Sequence, residues 1–189
     1  MGSIRRLLIG DYKCCNFNQE LCRKEKVMNK IASFTVNHLD LLTGVYVSRK
    51  DYIGDVCLTT FDLRFTRPNE EPPMDTPGIH SIEHLVATFL RNHAEWAEKT
   101  IYFGPMGCRT GFYFLTRSLS DNYSINLIKE AFQFIADYWG VIPGASPKEC
   151  GNCLDHNLPQ AKEEAKAFLE IIKDWTKEDL KYPTAEDEN

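Results

Sequence analysis

Two histidines and a glutamate lie within five residues of one another in His80-Ser81-Ile82-Glu83-His84. On an α-helix, residues four apart share a face, so the two imidazoles can converge on one metal ion while Glu83 reaches a group bound to it. The plainer reading makes His80 a residue of the first helical turn and Glu83 a solvated partner. A two-histidine site needs at least one further ligand, and a catalytic one keeps a position open for water or substrate. Cys150, Cys153 and His156 are the downstream candidates. Cys150 and Cys153 form a Cys-x-x-Cys that alone suggests half a zinc ribbon or a redox pair. No second such pair and no βαβ setting accompanies it, so one of the two thiols as a third ligand fits better. His156, a histidine in a loop, reads either as an alternative ligand or as a surface residue. A second reactive group is Gly104-Pro105-Met106-Gly107-Cys108-Arg109-Thr110-Gly111, where three glycines and a proline in eight residues describe a tight turn with a thiol at its tip. Arg109 and exposed backbone N–H groups there can lower the thiol pKa and make Cys108 a base or nucleophile. The competing reading is a hairpin turn holding an inert small residue.

These groups need a scaffold. Thr76 and Pro77 mark a helix start, and Ile79, Ile82, Leu85, Val86, Phe89 and Leu90 recur at spacings of three and four, which carries the histidine motif on a helix that fades near His93. Residues 34–39, 44–47 and 56–66 read as strands, and in the last of these Arg64 falls on the polar face, where an arginine is ordinarily solvated. Residues 100–103 and 112–117 read as a hairpin around the Cys108 turn. Ser124 is placed to cap a helix through Tyr138, stopped by Gly140 and Pro143, and residues 160–175 form a last amphipathic helix. Strands adjacent in sequence, with helices mostly grouped after them, predict a single α+β domain: an antiparallel β-sheet packed against α-helices.

The chain has 189 residues, 43% hydrophobic and 26% charged, which suits one globular domain and excludes a disordered or low-complexity protein. A net charge of −5 offers no basic footprint for nucleic acid, and no apolar run is long enough to span a bilayer, so neither nucleic acid nor membrane is an expected partner and a cytoplasmic location is expected. Seven cysteines, an odd number in a domain of this size, point to free thiols, metal ligation or catalysis rather than cross-links. Residues 1–30 carry seven Lys or Arg against three Asp or Glu and show no period, and Met28 stands at their end. They are expected to lie outside the functional domain, with Met28 as the natural start.

The His80–His84 block, GPMGCRTGFY from Gly104 to Tyr113, Glu149-Cys150-Gly151-Asn152, Ser33-Phe34-Thr35-Val36-Asn37-His38 and Phe61-Asp62-Leu63-Arg64 together resemble the S-ribosylhomocysteine lyase family, known as LuxS. The blocks follow family order from about Ile31 to Leu180, which divides the chain into a non-homologous appendage at 1–30, a lyase domain at 31–182 and an acidic tail at 183–189. The resemblance implies that His80, His84 and Cys150 bind one metal ion per subunit, ferrous iron with zinc as a substitute. It further implies that Cys108 and Glu83 are the acid/base residues, and that Ser33, His38, Arg64 and Arg91 line the substrate pocket. The implied substrate is S-ribosylhomocysteine, split to homocysteine and 4,5-dihydroxy-2,3-pentanedione, the precursor of the autoinducer-2 quorum-sensing signal. Family members are homodimers with active sites at the subunit interface, and the same is implied here. Ser81 stands where many members have Thr, and Tyr102 and Gly104 where Asp and Ser are frequent. An inverzincin-type zinc metallopeptidase also uses HxxEH, but its third ligand is normally a glutamate and it leaves the Cys108 turn without a role.

Overall fold

The computed structural model describes residues 34–183, so the appendage at 1–30 and Ser33 lie outside the described residues. Four strands, β1 (Gly44–Ile53), β2 (Val56–Arg64), β3 (Thr100–Pro105) and β4 (Gly111–Arg117), form an antiparallel sheet in the order β1-β2-β4-β3. Three helices accompany it: α1 (Thr76–Arg91), α2 (Asp121–Asp137) and α3 (Leu158–Ile172). The architecture is the expected α+β.

Alternation along β2 sends Phe61, Leu63 and the following Phe65 towards the helices, where they join Phe112 and Phe114 of β4 and meet Ile82 and Leu85 of α1, Phe132 of α2 and Phe168 of α3. Phe65 and Phe168 stack at 4.0 Å between ring centroids, and Phe132 packs against both at 5.3 and 5.1 Å. Full burial of each such side chain contributes about 1.5–3 kcal/mol, which is what holds three helices on one sheet face.

The opposite face of β2 is also covered. Asp62 and Arg64 are each only 2% exposed, so the expectation of a solvated Arg64 is corrected. The chain segment after α3 runs along the edge of β1, with the Val47 N–H donating to the Leu180 carbonyl at 2.7 Å and the Trp175 Nε1–H to the Val45 carbonyl at 3.1 Å. Tyr182 then donates its hydroxyl to Asp62 Oδ2 at 2.9 Å.

Other element boundaries shift for local reasons. Residues 34–39 form turns rather than a strand, and β1 continues to Ile53, where β2 returns beside it. Helix α2 starts at Asp121 because Ser120, not Ser124, accepts the Tyr123 N–H as cap, and Ser124 is buried. Asn157 caps α3 by accepting from the Gln160 N–H at 3.1 Å, with Pro159 in the first turn, so that helix starts two residues earlier than its periodicity indicates.

Candidate metal centre and its neighbouring thiol

Helix α1 buries Ile79, Ile82, Leu85, Val86 and Leu90 against the sheet, which leaves His80, Glu83 and His84 together on its half-buried other side. The two imidazole centroids are 4.7 Å apart. His80 Nδ1 lies 2.9 Å from the Asp155 carbonyl and His84 Nδ1 2.8 Å from the Pro143 carbonyl. A carbonyl only accepts, so each Nδ1 is the donor, and in the neutral imidazole that leaves the Nε2 lone pair for a metal. Those carbonyls belong to the loop between α2 and α3 that also delivers Cys150, whose Sγ stands 3.4 Å from His80 Nε2 and accepts from the Asn152 N–H at 3.4 Å. Gly144 lets the loop close in: its φ is +73° and a Cβ there would lie 3.3 Å from His84 Nδ1.

Ligand atoms of His80, His84, Cys150 and His156 all lie within 4.8 Å of one another. His156 stacks on His80 at 4.0 Å with planes 23° apart. Burial and the two neighbouring imidazoles depress its pKa. The Ser81 hydroxyl donates to the Pro77 carbonyl at 2.7 Å, accepts the Asn157 N–H at 2.8 Å and sits 3.4 Å from His156 Nδ1. It thereby ties the start of α1 to the far end of the Cys150 loop. Glu83 lines the same cleft of about 520 Å³ as His80, His84 and Cys150.

Cys108 occupies a different place, the turn between β3 and β4. The Arg109 N–H donates to the Met106 carbonyl and the Met106 N–H to the Gly111 carbonyl, both at 2.9 Å, with Arg109 in the left-handed region at φ 59°. The turn is pinned to the end of β2 by Phe65 and Thr66 N–H groups donating to the Thr110 carbonyl. Gly111 is required for that approach, since a Cβ there would fall 2.0 Å from the Leu63 carbonyl oxygen. The Thr110 hydroxyl lies 3.1 Å from Cys108 Sγ and accepts from Arg64 Nη1. Because guanidinium never accepts, the hydroxyl keeps its own proton for the sulfur. Arg64 Nη2 in turn holds Asp62 Oδ2 at 2.6 Å. Burial pushes the Cys108 thiol up, but the Thr110 hydrogen bonds and the Arg64 guanidinium outweigh it, and the thiol sits below its ordinary range. Cys108 itself is exposed and, with His38, Asn69, Glu71 and Thr110, lines a second cavity of about 330 Å³.

The fold therefore gathers the expected site residues in two groups, His80, Glu83, His84 and Cys150 in one cleft and His38 and Cys108 in the other, with Arg64 buried beneath Cys108. Arg91 ends α1 on the surface, donating to the Ile101 carbonyl at 2.7 Å, and lines neither cavity. Cys153 is half-buried and stands outside the ligand cluster. Sequence reasoning passed over Thr110, Asp62 and Tyr182. Thr110, two residues from the thiol, and Asp62, in the Phe61-Asp62-Leu63-Arg64 block, carried a visible signal, and Tyr182 carried none.

Among the described residues no helix is long and apolar enough to cross a membrane. The sequence model for S-ribosylhomocysteinase (LuxS) matches residues 31–179. An S-ribosylhomocysteine lyase of Clostridium acetobutylicum is 57% identical over 157 residues, spanning 82% of this chain and 99% of the relative. The enzyme of that name from Finegoldia magna is 56% identical over 159 residues, with 82% and 99% covered, and that from Phocaeicola vulgatus 50% identical over 161 residues, with 84% and 100% covered.

Proposed function

This chain belongs to the S-ribosylhomocysteinase (LuxS) family, and from that premise we propose how its two groups of residues divide the work. The protein is a lyase that cleaves the thioether of S-ribosylhomocysteine. The products are homocysteine and 4,5-dihydroxy-2,3-pentanedione, which supplies autoinducer-2. The observation that carries this reading is the convergence of two lone-pair imidazole nitrogens and Cys150, seventy residues from His80, at one edge of the Glu83 cleft.

Two imidazoles and a thiol are a donor set for a divalent transition metal, and His80, His84 and Cys150 would hold it. His156 also reaches this cluster, its ring stacked on His80 and its Nε2 4.0 Å from Cys150 Sγ, and it is the family resemblance that favours Cys150 as the third ligand. Ferrous iron, with zinc as substitute, supplies Lewis acidity towards the sugar oxygens when bound. The carbon–sulfur bond is unactivated until the sugar carbonyl has been moved along the chain to a position from which β-elimination expels the thiolate. Cys108, its thiolate favoured by Thr110 and Arg64, takes a proton from one sugar carbon and returns it to the next position during these carbonyl shifts. Glu83 takes the proton whose removal expels homocysteine thiolate and serves the remaining transfers. His38 lines the Cys108 cavity and Arg64 acts on substrate through Cys108 from beneath.

Cys108 and Glu83 line separate cavities within one chain, which supports a homodimer in which a second copy brings the two halves together. Phe34 and Leu39, each 71% exposed beside His38, offer apolar surface for that contact. Residues 1–30 precede the matched region, which supports reading them as standing outside the lyase domain. Deleting residues 2–27 is expected to leave melting temperature and turnover unchanged.

The reading is tested by purifying the protein anaerobically, measuring bound metal, adding S-ribosylhomocysteine and following free thiol. Metal-loaded protein releases homocysteine thiol. Absence of release at full metal occupancy overturns the assignment, and a peptidase reading, which leaves Cys108 idle, would then return.

A further inference from the structure

We propose that Tyr182, on the segment that follows α3, is a positioning residue for the Cys108 thiolate, acting through the buried Asp62–Arg64 pair. The inference rests on the reading of Cys108 as a proton carrier. Tyr182 itself lies beyond the 31–179 match.

The connection is continuous. Tyr182 donates to Asp62 Oδ2 at 2.9 Å, the same oxygen receives Arg64 Nη2 at 2.6 Å, Arg64 Nη1 donates to the Thr110 hydroxyl, and that hydroxyl stands 3.1 Å from Cys108 Sγ. Both charged side chains are almost fully buried, 2% exposed for Arg64 and 3% for Asp62, so water does little to orient them. Each also has a buried polar atom without a hydrogen-bond partner, Asp62 Oδ1 and Arg64 Nε. The carboxylate is thus held by two donors on one oxygen, and Tyr182 supplies the neutral one. Its ring stacks on Tyr46 at 5.0 Å, and the chain two residues before it is held by the Val47–Leu180 hydrogen bond on the edge of β1.

Removing the hydroxyl leaves Asp62 with Arg64 as its remaining donor. The carboxylate then draws the guanidinium towards itself and away from Thr110, and its charge is less neutralised where Cys108 feels it. Both changes disfavour the thiolate. The other groups facing Cys108 are Tyr113 from β4, its neighbour Arg109, and His38 and Glu71 across the cavity. None of them is bonded to Tyr182.

The test uses the full-length metal-loaded enzyme and the variant Tyr182→Phe, which retains the ring and its stack. Tyr46→Phe is the control, because it deletes a phenol of the same stack that also lies near the Asp62–Arg64 pair but donates its hydroxyl to the Leu42 carbonyl and not to Asp62. Iodoacetamide labelling of Cys108, resolved by peptide mass spectrometry across pH, reads the thiolate directly. Tyr182→Phe is expected to move the labelling half-point upward by at least about 0.3 pH unit in a protein that remains folded, with Tyr46→Phe unmoved. An unmoved half-point in Tyr182→Phe, or an equal shift in both variants, overturns the proposal. If the half-point moves while the acid limb of lyase activity does not follow, the positioning link stands and the proton-carrier reading of Cys108 fails.

Discussion

Replacing Thr110 by valine swaps one hydroxyl for a methyl group of nearly the same volume at a site that is 7% exposed. Two hydrogen bonds disappear together, the one from Arg64 Nη1 and the one to Cys108 Sγ. A hydrogen bond to a charged group contributes about 1.5–3 kcal/mol when shielded, and the exposure of Cys108 reduces that to about 1 kcal/mol. At 1.36 kcal/mol per pH unit the Cys108 pKa should rise by about 0.7 unit. The sign follows from the thiol lying below its ordinary range in the folded protein. The reactive thiolate is lost as pH falls through the folded pKa, so raising that pKa moves the acid limb of the activity profile to higher pH. The half-point of iodoacetamide labelling at Cys108 should shift by the same amount. The variant also leaves a second nitrogen of Arg64 without its acceptor, beside the already unpartnered Nε, at a cost of about 1–3 kcal/mol in denaturant unfolding. A labelling half-point within roughly 0.2 unit of wild type, in a protein that has lost that stability, would refute the relay from Arg64 through Thr110 to the sulfur.

Cys150→Ser should strip most of the bound metal, as measured by elemental analysis, while Cys153→Ser, outside the cluster, should retain it. Cys108→Ala and Glu83→Gln should each abolish thiol release with metal content intact. Mixed and refolded together, they should recover about one quarter of wild-type activity, because half the dimers then contain one intact site; no recovery would show that each site draws both residues from one chain. Phe132→Ala, fully buried between α2, α3 and the sheet, should cost about 3–5 kcal/mol in denaturant unfolding, and a loss below about 1 kcal/mol would contradict the packing described.

Helix α1 and the hairpin around Cys108 were legible in sequence because each is fixed by contacts close along the chain: a three-and-four apolar period in one, glycines and a proline in the other. The metal cluster was half legible. Spacing alone pairs His80 with His84, but choosing Cys150 over Cys153 required the family resemblance, since the loop that presents it is held by the His84–Pro143 and Ser81–Asn157 hydrogen bonds, which join positions far apart. Residues 34–39 have strand-like alternation, yet they form turns, because composition does not say whether a neighbouring strand is present to pair with. The burial of Arg64 was not legible either. Its ion-pair partner Asp62 is bonded by Tyr182, 120 positions away, and no local pattern announces that contact.

The two carbonyls that orient His80 and His84, and the Ser81 hydroxyl that clasps the Asn157 backbone, are all supplied by the polypeptide itself. These contacts join α1 to the loop between α2 and α3 through protein groups alone, whereas in small zinc domains the cation itself makes such a connection.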